Sequence, residues 1–445
     1  DGNMKLLRIT GIQSDLKGAF SMRMKGEMEN VLDSIKRRGT VELDMKSDKL
    51  RFLEMLADST GNASFTIPGG IAVSGKATML GNDYKAGINL LEGEGKLHLS
   101  ANCNLFNNRY QVLLSADSMN IAHFLPKDSL RYVSADLNID GQGFDWYDKR
   151  TFAEASLILN KLQYAGYDLS GIDFLAKLQK GNLNVSLESK NELLDMNTVL
   201  KASLTRKNVN ANMLINIAKA NLYEMRVVGV PLNVEGAFSL NLLSDYKKNH
   251  MFEGALKDVY IKTEKLVYNP KDIHFDADLK SDTTSLAVSA GDLDIQVNGK
   301  GGLEDIQNSL SLLEREFMKQ VKEKSVDQNL LKKYFPQLNL HVKAGKDNPL
   351  FNFLSMNKME YNNLLVDLST DSRNGIRASS YIHSLSVDSL QLDTIRCEIY
   401  QDVASIKAFA QVKNAPSNKQ FVFDTQLNAS ITPDDTQLNL SFFDG

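Results

Sequence analysis

The feature that most limits what this chain can fold into is a period-two alternation of apolar and polar residues that returns in segment after segment. It is cleanest between Gly181 and Leu242. In Leu183-Asn184-Val185-Ser186-Leu187 the odd positions are apolar, whereas at Leu194, Met196, Leu200, Ala202 and Leu204 the even ones are, with Asp195, Asn197, Lys201 and Ser203 between them. The pattern returns at Val209, Ala211, Met213, Ile215 and Ile217, and again at Leu232, Val234, Phe238, Leu240 and Leu242. Successive side chains on a strand point to opposite faces, so each segment predicts a strand with one apolar and one wet face.

The same reading places strands at Val41–Met45, Lys96–Leu105, Tyr110–Ala116, Val133–Ile139, Ala153–Leu159 and Ile172–Leu178. It continues with Val259–Thr263, Ile273–Leu279, Leu286–Ala290, Leu293–Val297, Leu338–Val342, Ile376–Ile382, Ile395–Ile399, Ala404–Val412 and Phe421–Ile431. The connections are short and polar, as at Pro68-Gly69-Gly70 and Gly81-Asn82-Asp83. Parallel neighbours would need long crossovers, so the strands read as an antiparallel meander.

Helical spacing is sparse. Short helices are expected at Asn30–Arg37 and Asp48–Ala57. A long one should start at Gly302, with Leu303, Ile306, Leu310, Leu313, Phe317 and Val321 on one side. Ser325 with Gln328 resembles a capping box, which predicts a restart there and a stop before Pro336, and a further short helix is expected at Pro349–Leu354. The chain thus divides into a β region over 1–302, a helical insertion over 303–335 and a continuing β region over 336–445. Both ends read as the middle of a strand, which predicts a piece of a longer protein.

Some functions are excluded at this level. A net charge of −4, with no basic stripe, gives no argument for nucleic acid. Cys103 and Cys397 stand apart inside alternating segments and read as small apolar strand residues. The six histidines are scattered, Asp276 and Asp278 read as solvent-facing, and Gly299-Lys300-Gly301-Gly302 lacks the spacing of a phosphate loop. No catalytic, metal or cofactor site is expected, and the chain reads as a non-enzyme. The aromatic content of 8%, read as mostly inward-looking, argues against an adhesive or carbohydrate-binding rod.

About twenty strands with three to five apolar residues each make more apolar face than the helices can cover. The face can meet itself in a sandwich, line a trough, or face lipid in a closed barrel. The single Trp146, the lack of aromatic girdles and the charged helix after Gly302 argue against the barrel. The expected fold is therefore mostly β, an elongated meander curled into a trough with a few helices, the longest near 303–335.

Three stretches carry a resemblance to a known family. They are Ser118–Gly143, where Phe124-Leu125-Pro126-Lys127-Asp128-Ser129-Leu130 runs into an alternating strand and a Gly-Gln-Gly; Leu162–Ile172; and the junction at Tyr334-Phe335-Pro336. The chain resembles the β-rich periplasmic part of the TamB family, among the AsmA-like bridge-like lipid-transfer proteins. The resemblance implies a β-taco-like groove in the periplasm of a Gram-negative cell, guiding phospholipid acyl chains between inner and outer membranes in support of outer-membrane biogenesis. It also implies an inner-membrane anchor outside this sequence and an Omp85-type partner resembling TamA. On that reading the groove candidates are Val185, Leu187, Leu200, Leu204, Met213, Ile215, Ile217, Val234, Phe238 and Leu240. The alternative is a scaffold on which outer-membrane proteins assemble by strand pairing. An Asp, Ser/Thr, small-or-apolar triplet recurs at Asp33, Asp58, Asp117, Asp128, Asp282, Asp388 and Asp393, and resembles an O-glycosylation signal of some Gram-negative export systems.

Overall fold

The structure is a computed structural model that describes residues 2–3, 5–48, 68–125, 130–164, 167–264, 266–403, 405–433 and 435–444. It is mostly β and antiparallel, with three α-helices among the described residues. The chain forms two compact units. One comprises Asp1–Arg206, Met213–Glu235 and Lys262–Lys265, and the other comprises Lys207–Asn212, Gly236–Ile261 and Leu266–Gly445.

The first unit contains β1 (Leu6–Leu16), β2 (Phe20–Glu29), β3 (Arg38–Ser47), β4 (Ile71–Leu80), β5 (Asp83–Glu92) and β6 (Gly95–Asn104). It goes on through β7 (Arg109–Asn120), β8 (Leu130–Gln142), β9 (Phe152–Tyr164), β10 (Ile172–Gln179), β11 (Asn182–Lys190) and β12 (Leu194–Leu204). Each pairs antiparallel with its neighbour in the chain. Among the described residues no pairing joins β1 to β12, so the ladder is open.

Strands β13 (Val209–Asn221), β14 (Leu232–Ser244) and β15 (His250–Thr263) carry residues of both units. The second unit continues with β16 (Ile273–Leu279), β17 (Thr283–Ala290), β18 (Leu293–Lys300), helices α1 (Leu303–Glu323) and α2 (Gln328–Tyr334), and β19 (Gln337–Ala344). Helix α3 (Pro349–Met356) follows, and then β20 (Asn363–Asp371), β21 (Gly375–Val387), β22 (Leu390–Gln401), β23 (Ile406–Asn414), β24 (Phe423–Ile431) and β25 (Thr436–Asp444). From β15 to β25 each strand again pairs antiparallel with the next.

Turn chemistry makes the meander tight. Between β10 and β11 only Lys180 and Gly181 intervene, at φ 55° and 77°. Two positive φ values define the hairpin turn whose twist matches that of the flanking strands, and glycine takes the second position at no steric cost. A Cβ on Gly181 would also lie 2.7 Å from the Leu204 carbonyl oxygen.

Two expectations about helices need revision, and a third is not tested. Asn30–Arg37 is a pair of turns: Asn30 sits at φ 50°, and Asp33 Oδ1 accepts from the Ile35 and Lys36 N–H groups. Its apolar residues find nothing to pack on, Leu32 and Ile35 being 76% and 80% exposed. The expected Asp48–Ala57 helix lies, beyond Asp48, outside the described residues. Helix α2 begins at Gln328 because Asp327, not Ser325, caps it by accepting from Leu330 N. The helices α1 and α3 stand where spacing placed them, and strand β2 is one that the reading above did not name.

Candidate functional site

The antiparallel register turns the alternation into rows. Residues directly opposite on paired strands share a face, and in the first unit Met24, Leu43, Gly75, Ile88, Leu99, Leu114, Leu137, Leu157, Phe174 and Leu187 are successive partners from β2 to β11. At about 4.8 Å per strand this row runs roughly 40 Å. Beside it runs a row of smaller residues, Ala77, Ala86, Ala101, Val112, Ile139, Ala155, Ala176, Val185 and Leu200. A third contains Met79, Tyr84, Cys103 and Tyr110. Small side chains between large ones leave a furrow, and an apolar cavity of about 310 Å³ lies there over Gly39, Val41, Ala77, Ala86 and Ala101 with Met28, Met79 and Tyr84 as walls.

Most of these side chains are half-buried rather than sealed, and Ala77, Ala86 and Ile88 are exposed. Among the described residues the fully buried apolar set is small and half of it is alanine: Ala116, Ala135, Ala202, Ala220, Ala255, Ala290 and Ala344. A sandwich core would bury the large side chains and leave the small ones for the margins. Both cysteines are free and half-buried, Cys103 on the apolar face opposite Tyr110.

The second unit carries a comparable face, with Phe275, Val288, Ile295, Val342 and Val366 as successive partners. Here helices cover its margins. At one end of the strands Leu350, Phe351 and Leu354 of α3 pack on Ala290, Leu293, Ala344 and Tyr361. At the other end Ile306 of α1 sits so close over Gly299 that a Cβ there would meet its Cδ1 at 2.5 Å. Beyond it Leu313 is half-buried, and Leu310, Phe317 and Val321 stay exposed at 44%, 53% and 54%.

The groove candidates fall as follows. Val185 and Leu200 are direct partners on β11 and β12, and Leu187 stands opposite Phe174 and Thr198. Leu204 closes β12, its N–H donating to the Gly181 carbonyl at 2.7 Å. Met213, Ile215 and Ile217 alternate along one side of β13, and Val234, Phe238 and Leu240 along β14; all ten are half-buried while Asn184, Ser186, Asn210 and Asn216 are exposed. Phe238 stacks on Phe275 at 6.3 Å between centroids. The apolar rows of β2 to β10 were absent from the candidate list, although each strand's own alternation signalled them.

The wet face is laced with cross-strand pairs. Lys25 and Lys76 lie 2.8 and 2.9 Å from Glu42, their register partner, and these hydrogen bonds hold the Glu42 carboxyl down at about 2. In the 245–249 turn the backbone N–H groups of Asn249 and Lys247 hold Asp245 well below the usual carboxylate range. Four of the histidines make side-chain hydrogen bonds: His98 with Asn89, His123 with both Glu92 and Asn120, His250 with Ser244 and His341 with Asp367. Asp278 pairs with Lys280 at 2.7 Å. Among the described residues no group of three or more His, Cys, Asp or Glu could hold a metal ion, and no helix is long and apolar enough to cross a membrane. Of the Asp-Ser/Thr triplets, Ser34, Thr283 and Ser389 are exposed, Ser118 and Thr394 half-buried, and those at Asp58 and Asp128 outside the described residues.

One expectation about aromatics is corrected at the strand ends of the first unit. Phe106 is 85%, Phe144 71% and Trp146 59% exposed. They occupy the β6–β7 turn and the loop after β8, which meet where Gly143 N donates to Asn108 O at 3.0 Å and Phe144 stacks on Tyr110 at 5.2 Å. Loop positions have no inward face, so alternation said nothing about them. At the same strand ends is a cavity of about 520 Å³, lined by the polar Asp83, Lys85, Asn102, Asn104, Arg109, Gln111, Asn138, Asp140 and Glu154 together with Tyr84, Cys103 and Tyr110 of the third apolar row.

No protein-family model matches this chain, and no curated protein matches it in sequence.

Proposed function

We propose that this chain is part of a periplasmic lipid-transfer conduit, in which phospholipid acyl chains lie along the apolar sheet face on their way between inner and outer membranes. The observation that carries the proposal is the set of register-matched apolar rows, which run across strand after strand, mostly half-buried and facing no second sheet within their unit. Such a face is a solvent for hydrocarbon: each buried CH₂ gains about 0.8 kcal/mol, with little demand on the identity of the chain. The furrow of small residues between large ones gives an extended chain a place to lie. An inner-membrane anchor outside this sequence and an Omp85-family outer-membrane partner belong to the same proposal, and they rest on the family resemblance.

Site-specific photo-crosslinking in cells tests it, with the probe at Val185, Ile215 or Leu240 and controls at Ser186, Asn216 or Asn241. Phospholipid adducts at the first set alone are expected. Adducts to outer-membrane polypeptides would replace the conduit with an assembly scaffold, and the absence of adducts from both sets would leave a structural β-rod.

A further inference from the structure

We infer that the amide-rich cavity at the strand ends of β5 to β9 in the first unit binds a neutral oligosaccharide. The cavity of about 520 Å³ there holds the amides of Asn102, Gln111 and Asn138 together. A primary amide offers donors and an acceptor side by side, which is what a sugar hydroxyl, itself donor and acceptor, requires. These groups are not consumed by one another. Asn102 reaches Gln111 only at 3.5 Å, the outer limit of a hydrogen bond, and Arg109 stands 3.9 Å from Asp140. The cavity's three carboxylates, set against one lysine and one arginine, leave it close to neutral, which disfavours phosphate, polyanions and free cations alike.

The wet face is hollowed at this point. Asn102 and Gln111 are half-buried, whereas Asn184 and Ser186 on the same face of β11 are exposed. Phe106 sits in the turn between the strands that supply Asn102 and Gln111, and its 85% exposure serves no packing. An exposed ring in the turn that joins the two amide-bearing strands offers an apolar plate for the C–H face of a pyranose, while the amides take its hydroxyls.

The protein contains one tryptophan, Trp146, in the adjoining loop, so its intrinsic fluorescence reports on this edge alone. Titration with an N-acetylglucosamine tetramer and with cellotetraose should give a saturable change for at least one of them. Half-saturation should fall at or below about 1 mM. Phe106→Ala, in an exposed turn, and the double variant N102A/Q111A should each weaken binding about tenfold or more, while Asn216→Ala, at an exposed position of β13, leaves it unchanged. The inference is overturned if neither sugar produces a saturable change up to about 10 mM, or if the change persists undiminished in both wet-face variants.

Discussion

Single side chains on this sheet have roles that strand alternation does not announce. Glu42 is the clearest, held by a lysine on either side. Its folded pKa is depressed from 4.5 to about 2, so the stability it contributes is fully present above the unfolded value and is lost as pH falls from there through about 2. A carboxyl titration followed by NMR should place the Glu42 midpoint near 2, and replacing Lys25 and Lys76 by Met should return it toward the ordinary range. Asn348 is a second case, completely buried, accepting from Phe351 N at 2.8 Å to cap α3 and donating to Asp292 Oδ1 at 2.6 Å. Asn348→Ala should cost about 1–3 kcal/mol in urea unfolding, because it removes a helix cap and the buried amide that donates to Asp292. Glu42 was legible only as one more polar strand residue, since its partners stand 17 and 34 positions away along the chain. Asn348 could be read as a cap before Pro349, but its hold on Asp292 comes from the fold.

Elements were legible wherever one period ran long enough. Helix α1 repeats its apolar spacing over 21 residues, and the structure places it there. The stretch from Asn30 to Arg37 shows the same spacing for two turns only, too short to form a helix without a surface to pack on. What spacing could not tell is which part of a stripe touches the sheet. Ile306 is 6% exposed and Phe317 53%, so Ile306→Ala should cost about 2–3 kcal/mol, while Phe317→Ala should stay within about 0.5 kcal/mol. Chemical denaturation of the two variants checks the contrast. In the β10–β11 hairpin, Gly181→Ala should cost about 1 kcal/mol or more, since it meets both an unfavourable φ and the Leu204 carbonyl.

Across the molecule, the alternating face was visible in the sequence and the register was not. Alternation says that Leu137 and Val185 each lie on an apolar face. It takes the pairing to put them on the same face of one ladder, three strands apart. The candidate list therefore stopped at β11 to β14, although the rows begin at β2. This yields a prediction that the shorter list would not make: Leu137→Asp should block lipid passage as completely as Val185→Asp, with Asn184→Asp mild, in a transport assay at matched protein levels. Equal tolerance of all three would sink the conduit. The exposed aromatics at Phe106 and Trp146 lay beyond any periodic reading, because a turn has no period.

From β2 to β11 and from β16 to β24, each strand pairs with the one made just before it and the one made just after. Such a chain has no distant partner to search for, so its sheet can grow hairpin by hairpin as the chain emerges. Adding or deleting one hairpin leaves every other pairing intact. Reach becomes a quantity that evolution can set in steps of two strands, about 10 Å at a time, like links added to a chain to fit a gap.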